Sequence, residues 1–338
     1  MRILLAIDSL KGCLTSSEAN EAAREGLLLR WPNAKVISVA VSDGGEGFLE
    51  ATHHTAQGGQ SVMCEVMDPL MRPVEARYLL YNDRAYIELA QASGLCLLRP
   101  EERNPLKTTT YGTGQLIADA LRKGVREVVV GLGGSATSDC GRGMLRALEG
   151  ADCRGVHFTI ATDVCNPLCG PNGAARVFAP QKGATEEMVE ELERRAHAFA
   201  QESTRRMGHD YADCPGAGAA GGVGYALMQF YGAERRSGAE LVLDVAHFDA
   251  LLQTADLVIT GEGHADRQTL MGKLPSVVLR RAQTHNVPVW LVAGRVSDRK
   301  ELAEAGFSRI LPLSPTDMPI LEAMCPDVAR KLFKSIFL

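Results

Sequence analysis

Five short stretches place acids, hydroxyls or lysines among glycines: "DSLKG" at 8–12, "SDGGEG" at 42–47, "GLGGSATSDCGRG" at 131–143, "TDVCNPLCGPNGAARVFAPQKGAT" at 162–185 and "TGEGHADRQTLMGK" at 260–273. A run of Gly, Ser and Thr leaving an apolar strand can offer several backbone N–H groups to one anion, most of all where a helix starts. Residues 131–143 have that composition, as a phosphate cradle or as a flexible turn. They fit neither G-x-x-x-x-G-K-[ST] nor a strand-linked G-x-G-x-x-G. In the other four, Asp8 and Lys11, Asp43 and Glu46, Asp163 and Lys182, and Glu262 and Asp266 are the groups able to hold a cation, accept a proton or meet an anion. Taken singly, each has a plainer account. Asp and Gly suit tight turns, and loop lysines are usually solvated.

A literal G-x-G-x-x-G does occur at Gly216–Gly221. It follows "YADC" rather than a strand and no acid follows at a second strand end, so the dinucleotide fingerprint is weak; close helix packing explains its glycines equally well. The histidines form neither a Ser-His-Asp arrangement nor a metal spacing. Together, the loops supply what phosphoryl transfer requires: anion cradles, carboxylates for Mg²⁺, cations, and a base near the accepting hydroxyl. The pattern points to a kinase outside the P-loop and protein-kinase classes.

These loops need a scaffold. Apolar runs at 2–7, 35–41, 126–132, 158–162, 256–260 and 287–293 alternate with helical patterns, which predicts an α/β protein with largely parallel sheets covered on both faces. Thr15 and Glu18 form a capping box before a helix that Pro32 stops, and Thr185 caps a helix that ends at Gly208. The second helix is expected to bury Met188, Leu192, Ala196 and Phe199. Its Glu190–Arg194 and Glu191–Arg195 spacings read as a solvated face. Residues 74–90 break the rhythm as two strands turning at Asn82 and Asp83, an antiparallel hairpin. The expected organisation is a discontinuous Rossmann-like domain, 1–60 with 245–338, and an inserted α/β domain, 61–244.

With 338 residues and 46% hydrophobic content, the chain is long enough for two domains. A net charge of −5, a pI of about 5.9 and 5% aromatics give nucleic acid or an anionic membrane little to hold, which favours a small-molecule partner. Nine scattered cysteines without a C-x-x-C pair suggest reduced thiols. Cys165 and Cys169 are nearest one another, but no His or acid at zinc-site spacing accompanies them, so no structural metal is expected. Asp8 interrupts the first apolar run too early for a signal peptide, and no run is long enough to cross a bilayer. A soluble cytoplasmic protein is expected.

The ordered set "DSLKG", "VSDGGEG", "GTGQLI", "GLGGSATSD", "TDVCNPLCG", "APQKGA", "PGAGAAGGVG" and "LVITGEG…D.Q…GK.P" resembles the bacterial glycerate kinase type-1 family, the glycerate 2-kinases, from residue 1 to about 330. The resemblance implies ATP-dependent, Mg²⁺-assisted phosphorylation of D-glycerate at its 2-hydroxyl to give 2-phosphoglycerate, in a two-domain α/β fold. By the same resemblance, Gly133, Gly134, Ser135, Ala136 and Thr137 form the phosphate loop. Asp163 is a base or Mg²⁺ ligand, Lys182 and Lys11 meet substrate or phosphate, and Asp43, Glu46, Glu262 and Asp266 serve substrate or metal; Asp8 belongs with the catalytic set.

The chain also departs from the family pattern. Ser138, Cys140 and Arg142 replace an Asn, a Gly and an Ala; Gln115 replaces a Glu and His264 an Arg. A few tens of residues that the family carries after the cradle helix are missing beyond residue 150. These departures raise two alternatives: a shortened relative that binds glycerate or nucleotide with little or no turnover, or a kinase for another small hydroxy acid.

Overall fold

The computed structural model describes residues 1–10, 13–42, 44–45, 47–56, 58–313 and 326–338. Lys11, Asp43 and Glu46 therefore lie outside the described residues.

The chain forms two compact units. Residues Met1–Asp43, Glu50–Gln57 and Ser237–Leu338 make the first; Gly44–Leu49 and Gly58–Arg236 make the second. The first unit is built on a five-stranded, wholly parallel sheet of β1 (Arg2–Ile7), β2 (Lys35–Ser38), β9 (Leu257–Ala265), β10 (Val289–Val296) and β11 (Arg309–Pro312), in the order β11-β10-β9-β1-β2. Successive residues Ile3, Leu4, Leu5, Ala6 and Ile7 are all buried, as are Val258 with Ile259 and Leu291 with Val292, as strands covered on both faces must be. The Ser16–Arg30 helix starts on the expected Thr15–Glu18 capping box and buries Ala19, Ala22, Ala23 and Leu27. Gly26 lets it approach the Pro326–Ser335 helix, where an added Cβ would stand 2.6 Å from the Lys334 carbonyl oxygen.

From β1 the sheet grows one way to β2 and the other way through β9 to β11. The chain order therefore reverses between β1 and β9, and ligand crevices in open α/β sheets form outside the carboxyl ends of strands at such a point. Asp8 follows β1 there and Glu262 lies in the last turns of β9, with Ile7 paired to Gly261.

In the second unit, six strands lie in chain order: β3 (Gln60–Met67), β4 (Pro73–Tyr81), β5 (Arg84–Glu88), β6 (Glu127–Gly131), β7 (His157–Ala161) and β8 (Glu234–Arg236). The first three pair antiparallel, β4 and β5 turning at Asn82 and Asp83; β5 to β8 run parallel. Val128, Val130, Ile160, Ile87, Tyr78 and the Leu116–Ile117 pair of the Tyr111–Arg122 helix form its core.

Two elements differ from their sequence expectation. Strand β9 runs to Ala265 instead of stopping near 260, because β10 continues to pair with it through Ala293–Glu262 and Arg295–His264. Its Gly261 permits this: a Cβ there would stand 2.3 Å from the Val292 carbonyl oxygen. The Glu186–Met207 helix buries Val189 rather than Met188, and Glu193 with it. Glu190 on that helix pairs with Arg176 at 2.7 Å rather than with Arg194.

Candidate active site

Strands β6 and β7 end side by side, with Gly131 paired to Ala161. The 133–139 loop and Asp163, two residues past β7, consequently emerge from adjacent strand ends. Backbone contacts fix the loop on every side. Gly133 N–H donates to the Gly44 carbonyl at 3.3 Å and Ala136 N–H to that of Ser93 at 2.9 Å, while the Gly134 carbonyl accepts from Leu95 N–H at 2.8 Å. No side chain fits at Gly133, where a Cβ would stand 2.2 Å from Gly45 Cα. Two loop N–H groups are thus spent on the protein. Two hydroxyls add to the loop's capacity: Thr137 Oγ1 and Ser138 Oγ are buried without a hydrogen-bond partner, an arrangement that folded proteins seldom leave unanswered.

Lys182 lies beneath this loop and is only 2% exposed, which rules out a solvated loop lysine. Its Nζ donates to Ser135 Oγ at 2.8 Å and to the Thr137 carbonyl at 2.6 Å. Burial lowers its pKa to about 7, partly offset by the Asp139 carboxylate. With the Ser135 oxygen accepting from the ammonium, the Ser135 O–H is left to donate to an acceptor. Two of the three Lys182 ammonium hydrogens are thus committed to the loop.

Asp139, which sequence reasoning did not single out, staples the loop's far end. Its carboxylate accepts from Thr110 N–H at 2.9 Å, Gly141 N–H at 3.1 Å and Gly143 N–H at 3.1 Å, and from the Thr110 hydroxyl. The signal was an Asp directly before a Gly-rich helix start, a common capping arrangement.

The Gly216–Gly221 run is a packing device. Ala220, Gly221 and Gly222 all have positive φ inside the Ala219–Tyr231 helix segment. An added Cβ at Gly221 would stand 2.1 Å from the Thr137 carbonyl oxygen, and one at Gly218 2.3 Å from that of Pro167. The run therefore wedges between the cradle and the segment that follows Asp163. Gly221→Ala is expected to lower stability by about 1–3 kcal/mol, the usual cost of overpacking, and to raise KM for the nucleotide by displacing Thr137. Thermal melts and initial rates measure both.

Two of the three unusual residues, Cys140 and Arg142, pack away from the loop, while Ser138 belongs to it. Cys140, at φ 54, is buried with Leu168, Phe199 and Tyr225, and the Arg142 guanidinium lies 5.3 Å from the Phe199 ring centroid. The missing segment falls between the Arg142–Ala147 helix and β7, at the strand edge opposite the cradle, since β6 and β7 are parallel and both begin there.

In the first unit, Asp8 N–H donates to the Gly261 carbonyl at 2.9 Å, so Asp8 and Glu262 share the switch point. Glu262 is 7% exposed, and burial raises its carboxyl pKa against the pull of Thr269, whose hydroxyl donates at 2.6 Å, and of Lys273 at 3.5 Å. Asp266 commits Oδ1 to the Gln268 N–H as the cap of the following turn. His264 meets Ser297 Oγ at 3.0 Å.

Parallel sheets with acids at a switch point, and a hydroxyl-rich anion loop over a buried lysine, define an α/β phosphotransferase acting on a small molecule. The chain belongs to the glycerate kinase family, whose sequence profile matches residues 3–154 and 149–336. The two matched pieces meet at 149–154, where the family's extra residues are missing. The chain is 37% identical to the glycerate kinase of Bacillus subtilis (strain 168), with 100% of both chains covered, in an alignment of 382 positions against its own 338 residues. It is 40% identical to the glycerate 2-kinase of Escherichia coli (strain K12), covering 88% of this chain and 86% of that one. A crystal structure from Salmonella typhimurium LT2, described as that of a candidate glycerate kinase 2, superposes with a TM-score of 0.84 at 38% identity, covering 100% of this chain and 95% of that one. Among the described residues no helix is long and apolar enough to cross a membrane.

Proposed function

We propose that the protein transfers the γ-phosphoryl group of ATP to the 2-hydroxyl of D-glycerate, giving 2-phosphoglycerate and ADP in the cytoplasm. The observation that carries this reading is the 133–139 loop over Lys182, emerging beside Asp163 from neighbouring strand ends.

Phosphoryl transfer needs little covalent chemistry from a protein; it needs positioned charge. Ser135, Thr137 and Ser138 donate hydroxyl hydrogens to phosphate oxygens, and the Lys182 charge polarises Ser135 and the Thr137 peptide from behind. Asp163 takes the proton from the glycerate hydroxyl as its oxygen attacks phosphorus. In the first unit, Asp8 and Glu262 serve substrate or metal, while Asp266 holds the turn after β9. Lys11, Asp43 and Glu46 enter by family resemblance alone.

Mg²⁺ is usually held by one or two carboxylates plus phosphate oxygens. In the second unit Asp163, whose Oδ2 is buried, belongs to that donor class, and in the first unit the buried Glu262 does, each taken by itself. Bound with ATP, the ion neutralises charge on the phosphates.

Turnover by a chain with the shortened segment is expected because the connection that replaces it enters β7 at the strand end away from the cradle. The test supplies D-glycerate, ATP and Mg²⁺, and couples product through enolase, pyruvate kinase and lactate dehydrogenase without phosphoglycerate mutase. With no phosphoenolpyruvate added, NADH oxidation that depends on enolase identifies 2-phosphoglycerate. A folded protein that binds either ligand by calorimetry yet shows no turnover would overturn the proposal.

A further inference from the structure

The Glu186–Met207 helix carries Glu193 and His197 one turn apart, and the segment after β7 brings Cys169 against them. A ligand atom from each of Cys169, Glu193 and His197 lies within 4.8 Å of the other two. Glu193 is 6% exposed. Its Oε1 accepts the Gly170 N–H at 2.5 Å and stands 3.3 Å from His197 Nε2, while its Oε2 is buried with no hydrogen-bond partner. A buried carboxylate oxygen left bare is costly, and this carboxylate lies beside a thiol and an imidazole.

Thiol, imidazole and carboxylate form a donor set suited to Zn²⁺. Bond lengths of about 2.0–2.3 Å put neighbouring tetrahedral donors roughly 3.3–3.8 Å apart, so small side-chain rotations close the observed cluster onto one ion. We propose that Cys169 Sγ, Glu193 Oε2 and a His197 ring nitrogen form a Zn²⁺ site, with water at the fourth position. The Gly170 N–H on Glu193 Oε1 plays the orienting part that outer partners play around metal ligands. The cluster opens on a surface cavity of about 690 Å³ lined also by Arg176, Glu190 and Arg194, which gives the ion access.

On binding, the Cys169 thiol gives its proton to solvent and its sulfur forms the metal bond. Burial and the nearby Glu193, Asp213 and Asp210 carboxylates push this thiol up to about 12, so it stays protonated until a cation arrives. The sequence hid the site because its residues are distant in the chain and Glu193 sits in a helix whose neighbouring acids face solvent. Zn²⁺ here would clamp residues 163–173 to the helix, whatever the substrate of the enzyme.

The test titrates the full metal-free chain with Zn²⁺ against a chromophoric chelator, and with Co²⁺ as a spectroscopic probe. One ion per chain is expected, with a sulfur-to-cobalt charge-transfer band and tetrahedral visible absorption. Cys169→Ser should abolish the charge-transfer band. Glu193→Gln and His197→Ala should each weaken Zn²⁺ by roughly tenfold or more, while Cys165→Ser, an exposed neighbour, should change nothing. Circular dichroism establishes folding, and the glutamate and histidine variants decide if Cys169→Ser does not fold. No uptake by the folded wild-type chain, or unchanged band and affinity in Cys169→Ser, would overturn the proposal.

Discussion

Asp163→Asn is expected to lower kcat for glycerate phosphorylation by about 10²- to 10⁴-fold, the range over which a positioned general base contributes, with an unchanged melting temperature. Asparagine keeps the shape of the side chain and one carbonyl oxygen but cannot take a proton at neutral pH. Asp163 stands two residues past the end of β7, beside the loop that leaves β6, which is where an attacking hydroxyl would meet a cradled phosphate. Two measurements separate its possible roles. As a base, its loss lowers kcat at every Mg²⁺ concentration; as a metal carboxylate, its loss raises the Mg²⁺ requirement and excess ion restores part of the rate. A variant with full activity at ordinary Mg²⁺ would remove Asp163 from the chemistry.

Much of the scaffold was legible because strands buried on both faces leave continuous apolar runs. "RILLAI" and "REVVVGL" needed no further context, and the capping box at Thr15 and Glu18 fixed a helix start to the residue. The family was legible too, since eight loops in one order are far more specific than any one of them. What escaped depended on the environment of side chains. Lys182 had the sequence surroundings of a solvated loop lysine and lies buried, because the Gly183 turn, at φ 90 and tight against Arg103, folds it under the cradle. The Gly216–Gly221 run left a weak fingerprint and close packing both open, and only the structure shows Gly221 admitting the Thr137 carbonyl. Glu193 followed two acids with basic partners four residues on, and nothing in that local pattern distinguished the one acid of the three that is buried.

Lys182→Met should lower kcat/KM for ATP by about 10²-fold or more, comparable to losing one preorganised donor at a developing charge, and should remove a pH dependence of stability that the wild-type protein has. In the folded protein Lys182 titrates at about 7 and in the unfolded chain near its ordinary 10.5. Between those values the unfolded state holds the extra proton, so the stability of the wild-type protein gains from raised pH, by up to about 1.4 kcal/mol per unit for this one group. Below about 7 the cost of burying the ammonium is fully present; above 10.5 it is gone. Methionine buries no charge, so the variant should compare best with wild type at pH 7 and below and lose that margin toward pH 10. It leaves the Thr137 carbonyl without its donor at every pH, a constant offset of about 1–3 kcal/mol. Activity follows the opposite slope. The charged form that polarises Ser135 is depleted above about 7, so kcat/KM for ATP in the wild-type enzyme should fall as pH rises, and bound phosphate should shift that fall upward in the profile of kcat. The methionine variant should lack this limb. Paired denaturant melts and rate profiles from pH 6 to 9 measure both slopes, and a parallel pH dependence of stability in the two proteins would mean that Lys182 carries its charge unperturbed. The same burial that makes the lysine costly to the fold lets its charge reach the loop through two hydrogen bonds without screening by water, so on the proposed role the stability cost and the predicted loss of rate have one physical origin.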